Sequence, residues 1–93
     1  MVIGRAARRA ARVRQVAAVV GKSHAPAALD VLELTEFAWH DCYQEISPPD
    51  DVIEDILVCS RGNLANFARA ARLAVQDYRD LHLAADAIRA GQA

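Results

Sequence analysis

The stretch "DILVCSRGNLANF", residues 55–67, decides the fold, because it fits two incompatible local structures. One is a strand that carries Cys59 into a phosphate-binding loop, and the other is a helix interrupted by Gly62. The apolar positions on both sides of Gly62 recur in alternating steps of four and three, which is the spacing of one helix face. This phase therefore predicts helix on both sides, with the face formed by positions 53, 57, 60, 64, 67, 71, 74, 78, 81, 85 and 88.

Gly62 and Asn63 bear on whether this region is one helix or two. A single helix over 48–90 would be about 64 Å long, whereas a compact domain of this size has a radius of gyration of about 12 Å. Glycine and asparagine are also the residues that tolerate the left-handed conformation of a helix C-cap. The sequence therefore predicts either two helices, about 48–61 and 63–90, or one long kinked helix.

The segment "ILVCSRGN", residues 56–63, resembles the start of the phosphate loop of the low-molecular-weight tyrosine phosphatases, which reads Val-Cys-x-x-x-Asn-x-x-Arg-Ser. The resemblance covers about eight residues and would make Cys59 a nucleophile. That loop needs an arginine six positions after the cysteine to hold phosphate by two hydrogen bonds. Ala65 occupies that position here, so the helical interpretation is favoured and no catalytic residue is predicted.

Two further helices precede this region. The segment "SPPD", residues 47–50, indicates a helix start at about residue 48, with Ser47 as the N-cap and Pro48 in the first turn. Helices are predicted over about 2–21 and 26–46, separated by the turn "GKSHAP". The apolar stripe of the first helix is predicted to comprise Val2, Ile3, Ala6, Ala10, Val13, Ala17 and Val20.

Composition agrees with one small helical domain. The 93 residues include twenty alanines, ten arginines and one lysine, and alanine and arginine are strong helix formers. We therefore predict an all-α fold, a small bundle of three or four helices forming a single domain over 1–93. No apolar run approaches the roughly 18 residues of a membrane span, and the patch "VAAVV" at 16–20 is too short for a signal peptide.

The skew toward alanine and arginine indicates a bacterial source with a high-GC genome, and we expect a cytoplasmic protein. Cys42 and Cys59 are far apart in the sequence and lack metal-binding spacing. Two reduced thiols are therefore expected, and one disulfide between them is the alternative.

Charge is segregated along the chain. Residues 1–22 carry a net charge of +6, residues 23–55 carry −9 and residues 56–93 carry +2, which sum to −1. Either the basic first helix packs on the acidic second helix, which we favour, or it is presented to an external polyanion. Under the second alternative the chain binds nucleic acid through Arg5, Arg8, Arg9, Arg12 and Arg14.

A metal-binding bundle is a further alternative, because carboxylates and histidines on facing helices form such sites. Glu36 and His40 are four residues apart and share a helix face with Glu33 nearby, and His82 with Asp86 forms a second pair of this spacing. The candidate ligands are Glu33, Glu36 and His40. The Glu-x-x-His motif of di-iron bundles is missing, so a solvated face is favoured, and no cofactor is predicted.

Apolar residues outside the main stripe indicate a second interface. Leu34 and Phe37 fall among the acidic residues of the second helix. On the last helix the candidate interface comprises Leu73 and Leu83, which point away from the stripe, together with Tyr78 and Leu81, which belong to it. We therefore expect a small non-enzymatic interaction or regulatory module that acts by protein–protein binding, as a homodimer with a further protein partner of unknown identity.

Overall fold

The computed structural model describes residues 4–91, which form four α-helices joined by short loops. The helices are α1 (Arg5–Val20), α2 (Ala25–Tyr43), α3 (Asp50–Ser60) and α4 (Leu64–Arg89). This confirms the predicted all-α bundle, and the described residues include no strand. Residues 2 and 3, which the sequence placed at the start of the first helix, lie outside the described part of the chain.

The helix ends before Gly62, so α3 and α4 are two separate helices. The alternative of one long kinked helix is therefore wrong. Arg61 and Gly62 both have positive φ, at 51° and 76°, which ends α3 in a left-handed C-cap. Asn63 then caps α4, because its side-chain oxygen accepts a hydrogen bond from the Asn66 amide at 3.0 Å. A side chain at position 62 would also approach the Val19 carbonyl oxygen of α1 to 3.3 Å.

Helical phase persists across Gly62 because α3 and α4 fold back on each other and bury the same stripe. Most of the predicted positions are buried, and Phe67, Ala74 and Leu81 have no exposed surface. Tyr78 is the clearest exception, with 42% of its surface exposed. The rest of the core comes from one side of α2 and the end of α1: Val16, Val20, Ala25, Ala28, Leu29, Leu32 and Trp39.

Two helix boundaries differ from prediction. The second helix ends at Tyr43 instead of residue 46, because Gln44 adopts a left-handed conformation with φ of 60°. The third begins at Asp50 instead of residue 48, with Pro49 as its N-cap. Ser47 therefore does not cap it, and its hydroxyl instead accepts a hydrogen bond from Arg12 at 2.9 Å.

The helix α4 contains a kink that the sequence did not predict. Asp77 has φ of −161° and ψ of 93°, which are extended values inside the helix. Its Oδ1 accepts hydrogen bonds from the backbone amides of Arg79 and Asp80, at 3.0 and 3.3 Å. Asp77 thus acts as an internal N-cap, so residues 78–89 form a separately capped helical segment that still packs through Leu81 and Ala85.

The orientation of α1 is opposite to the predicted one along its first three turns. Ala6, Ala10 and Val13 of the expected apolar stripe are exposed, whereas Arg8 and Arg12 are largely buried against α2. Alanine buries too little area to fix a helix orientation, so the pairing of the arginines with the carboxylates of α2 determines which side of α1 faces inward.

Candidate interaction surface

A shallow apolar groove lies between α2 and α4, on the side of α2 that faces away from α1. Its volume is about 320 Å³. Alanines at positions 38, 68 and 71 make it shallow, and Arg72 and Gln76 form its polar border. We call this feature the α2–α4 groove, and its lining comprises Val31, Leu34, Thr35, Ala38, Ala68, Ala71, Arg72, Val75 and Gln76.

Leu34 lines the α2–α4 groove, and Phe37 is exposed on α2 three residues further along, on the side where Arg5 of α1 lies. Leu34 is 68% exposed and Phe37 is 49% exposed. They lie opposite Leu32 and Trp39, which point into the core, so α2 is apolar on two sides. The Arg5 guanidinium lies 4.3 Å from the centroid of the Phe37 ring, which leaves part of this ring open to a partner. The sequence predicted a second contact surface from these two residues; the structure shows that both side chains are exposed, and the contact itself stays a prediction.

The two margins of the α2–α4 groove carry opposite charges. On α2, the Asp41 side chain is 86% exposed, and Asp30 is 68% exposed but contacts Arg9 of α1 at 2.6 Å. On α4, Arg69 and Arg72 are exposed. A surface with one acidic margin and one basic margin is complementary to itself when a second copy is rotated by 180°.

Most arginines of the predicted nucleic-acid site are engaged with carboxylates of α2. Arg8 and Arg12 both contact Glu36, which is only 4% exposed. Arg9 contacts Asp30 at 2.6 Å and Glu33 at 2.7 Å, and these contacts raise its pKa. The basic helix therefore packs on the acidic one, and the guanidinium groups of Arg8 and Arg9 are closely paired with carboxylates of α2.

The other two arginines of that set, Arg5 and Arg14, are exposed. Arg5 lies against the Phe37 ring, so Arg14 is the member that projects from α1 with no contact to α2 among the described residues. Two exposed cations fall well short of the six to ten phosphate contacts of a typical DNA-binding protein. Nucleic-acid binding stays a prediction, and the geometry gives it little support.

The predicted metal ligands Glu33, Glu36 and His40 do not converge. Glu36 is buried between two arginines, Glu33 contacts Arg9, and the His40 side chain is 59% exposed. Within residues 4–91, no group of three or more histidine, cysteine, aspartate or glutamate side chains is arranged to hold a metal ion. Metal binding therefore stays a prediction, and the described residues provide no set of ligands for it.

The interface predicted on α4 divides between core and surface. Leu81 has no exposed surface and belongs to the core, and Leu73 is half-buried against it. Leu83 is 67% exposed and Tyr78 is 42% exposed. They point about 140° apart around the helix, at 100° per residue, so the four residues do not form one surface.

A second buried carboxylate, Asp55, joins α3 to the end of α4. It is 3% exposed and contacts His82 Nδ1 at 3.0 Å and Arg89 at 2.9 Å. His82 Nε2 also contacts Asp86 at 3.2 Å. The hydrogen bond that His82 donates to Asp55 is the main reason that the pKa of His82 is raised. The sequence identified the His82–Asp86 pair but not Asp55. The sequence signal for its burial was its place among four apolar residues of the same helix, Val52, Ile53, Ile56 and Leu57.

Cys59 lacks the environment of a reactive thiolate. Cys59 is half-buried with its sulfur 3.9 Å from the Leu81 carbonyl oxygen, and burial raises the pKa of its thiol. A thiol needs a lowered pKa to react as a thiolate, so the chemistry of the phosphatase-like segment has no support here. Cys42 and Cys59 are both free, and Cys42 is exposed.

Comparisons of this chain with family models, curated proteins and solved structures gave no match. None of the four described helices combines the length and the hydropathy that a membrane crossing requires. A functional proposal therefore depends on the geometry of the surfaces described above.

Proposed function

We propose that this chain is a non-catalytic interaction module that binds protein partners through the α2–α4 groove, and that a second copy of the chain occupies this surface in a homodimer. Exposed leucine and phenylalanine beside a groove are costly in water and are typical of an interface centre. Leu34, at 68% exposure on the margin of the groove, is the observation that supports the proposal most strongly.

Opposite charges on the two margins support a second copy as the occupant. In a two-fold dimer, the acidic α2 margin of one copy faces the basic α4 margin of the other, twice over. Asp41 and Arg72 are exposed on the respective margins. Such complementary margins favour the correct pairing and disfavour alternatives.

Small side chains in the groove allow the helices of two copies to approach closely. Ala38, Ala68 and Ala71 form much of the lining, and Leu34 of one copy fits above them in the other. We place this module in a bacterial cytoplasm, because its composition is rich in alanine and arginine and its cysteines are free.

Sedimentation equilibrium of the purified chain tests this proposal. We expect a dimer whose dissociation constant rises at least about tenfold in Leu34→Asp, because one charge would be buried without a partner. Leu83→Asp is the matched control, since Leu83 is equally exposed but lies away from the groove. A wild-type monomer at all concentrations, or equal effects of the two variants, would contradict the proposal.

A further inference from the structure

A second, larger groove lies between α1 and the segment that leads into α3, on a different side of the molecule from the α2–α4 groove. Its volume is about 1240 Å³. We call it the α1–α3 groove, and its lining comprises Ala7, Arg8, Ala11, Arg12, Gln15, Ile46, Ser47, Pro48, Pro49, Asp50, Ile53 and Glu54. The lining combines apolar side chains with six polar or charged ones, which are Arg8, Arg12, Gln15, Ser47, Asp50 and Glu54.

Arg12 is the unusual polar group of this groove. Its side chain is only 12% exposed, and one guanidinium nitrogen donates to the neutral hydroxyl of Ser47 at 2.9 Å. The other approaches Glu36 at 3.5 Å, the limit of a hydrogen bond, and Glu36 is also engaged by Arg8. Within residues 4–91, Arg12 thus has one distant and shared carboxylate as its only anionic partner.

A buried cation normally has a close anionic partner, because the loss of hydration is otherwise uncompensated. Arg9, one turn earlier on the same helix, has two carboxylates at 2.6 and 2.7 Å although it is more exposed. Arg12 instead lines an open groove. The contrast indicates that Arg12 has capacity for a further anion on the groove side.

We propose that the α1–α3 groove binds an amphipathic organic anion. Its negatively charged head contacts the guanidinium of Arg12 and the hydroxyl of Ser47, and its hydrocarbon body lies on Ala11, Ile46 and Ile53. Ile46 is 50% exposed, so covering it with a hydrocarbon chain removes apolar surface from water.

The acidic residues of the groove orient the ligand. Gln15 lies about one turn beyond Arg12 along α1, and its side-chain amide donates a hydrogen bond to Glu54 at 3.1 Å. Asp50 lies at the start of α3. These carboxylates repel a negative head, so the head is confined to the end near Arg12. The same arrangement discriminates against polyanions, which would place further negative charge beside Glu54.

Three probes of graded chemistry test the site in the full chain. Octanoate carries both the head and the chain, octanamide keeps the chain with a neutral head, and acetate keeps only the head. Calorimetric titration measures affinity, and amide chemical shifts locate the binding. We expect octanoate to bind about tenfold or more tightly than octanamide, since a charged hydrogen bond is stronger than a neutral one. Acetate is expected to bind weakest, because it lacks the apolar contact.

Two pairs of variants distinguish the site from an adventitious one. Arg12→Met is expected to weaken octanoate binding about tenfold or more, and Arg14→Met, the same change on the exposed side of α1, to leave it unchanged. Ala11→Phe fills the groove and is expected to abolish octanoate binding. Ala18→Phe adds the same side chain at an exposed position outside the groove and is expected to leave binding unchanged. The Ala11 pair decides the question if Arg12→Met fails to fold.

Binding of octanamide as tight as that of octanoate would overturn the proposal. So would equal effects of the variants within either pair, shifts confined to residues outside the groove, or no binding at millimolar octanoate.

Discussion

The α1–α2 junction and the α3–α4 junction both contain a buried carboxylate, but different cations neutralise it. Glu36 on α2 lies between two arginines of α1, whereas Asp55 on α3 lies between Arg89 and His82 of α4. An arginine stays charged throughout the accessible pH range, and a histidine does not. The cations of the first junction therefore keep their charge near neutral pH, whereas the charge of His82 in the second junction changes with pH.

The two junctions also differ in how much apolar area supports the ion pairs. The α3–α4 junction buries Ile53, Ile56, Leu57 and Phe67, whereas α1 contributes two buried residues, Val16 and Val20. The ion pairs thus accompany an apolar interface at one junction and substitute for one at the other. A helix rich in alanine can be positioned by charge when its apolar area is too small to position it.

The largest effect is expected from the apolar side of this comparison. Phe67→Ala is predicted to lower the free energy of unfolding by about 3–5 kcal/mol, because it leaves a cavity in the centre of the α3–α4 junction. Urea unfolding followed by circular dichroism measures the change. Phe37→Ala is the matched control at an exposed position and is expected to have little effect; similar losses in both variants would contradict the assigned core.

Removing the charge of Glu36 tests the polar junction. Glu36→Gln is predicted to destabilise the protein by roughly 3 kcal/mol, because the largely buried guanidinium groups of Arg8 and Arg12 then lose the charge of the Glu36 carboxylate. Urea unfolding measures the loss, and hydrogen exchange should show α1 losing protection before α4. Glu33→Gln removes a half-exposed carboxylate and should cost less. Uniform loss of protection over all helices would contradict a polar junction specific to α1.

The same change at Asp55 is expected to cost less. Asp55→Asn is predicted to destabilise by about 2 kcal/mol, as for a lost hydrogen bond to a charged group. Arg89 and His82 are 38% and 56% exposed, so they regain water when the carboxylate is lost. Chemical unfolding of the two variants, Asp55→Asn and Glu36→Gln, compares their losses in the free energy of unfolding. A larger loss for Asp55→Asn would contradict this prediction.

The smallest effect is the pH dependence of the α3–α4 junction. The pKa of His82 is raised in the folded chain by its hydrogen bond to Asp55. Its stabilisation is therefore complete below the unfolded pKa of about 6.5, and is lost as the pH rises through the raised value. Unfolding of wild type and His82→Asn at several pH values should give a difference that shrinks with rising pH. His40→Asn, at an exposed position, is the control, and a difference that grows with pH would contradict the assignment.

Helical phase made the C-terminal half of the fold predictable. The stripe through Gly62 is long and mostly large and apolar, and Gly62 with Asn63 carries the local signal of a helix end. The orientation of α1 was not predictable in the same way, because its alanines fit several rotations about the helix axis. The contacts of Arg8, Arg9 and Arg12 with carboxylates of α2 fix that rotation.

The candidate surface was predictable in part. Leu34 and Phe37 stand out in the sequence because they fall among acids. Leu81 could not be separated from an exposed leucine, because the kink at Asp77 and the packing of residues 78–89 on α3 decide its burial. Arg12 and Ser47 meet only through tertiary structure, since they are 35 positions apart.

Mixing two charge-reversed chains tests the proposed dimer most directly. Arg69→Glu/Arg72→Glu makes both margins of the α2–α4 groove acidic, and Asp41→Lys makes both basic. Each variant alone is expected to dimerise more weakly than wild type, because like charges then face each other across the two-fold axis. Sedimentation equilibrium of the equimolar mixture should show a 1:1 heterodimer. A mixture that stays monomeric while the wild type dimerises, or a wild type that is monomeric throughout, would contradict the account.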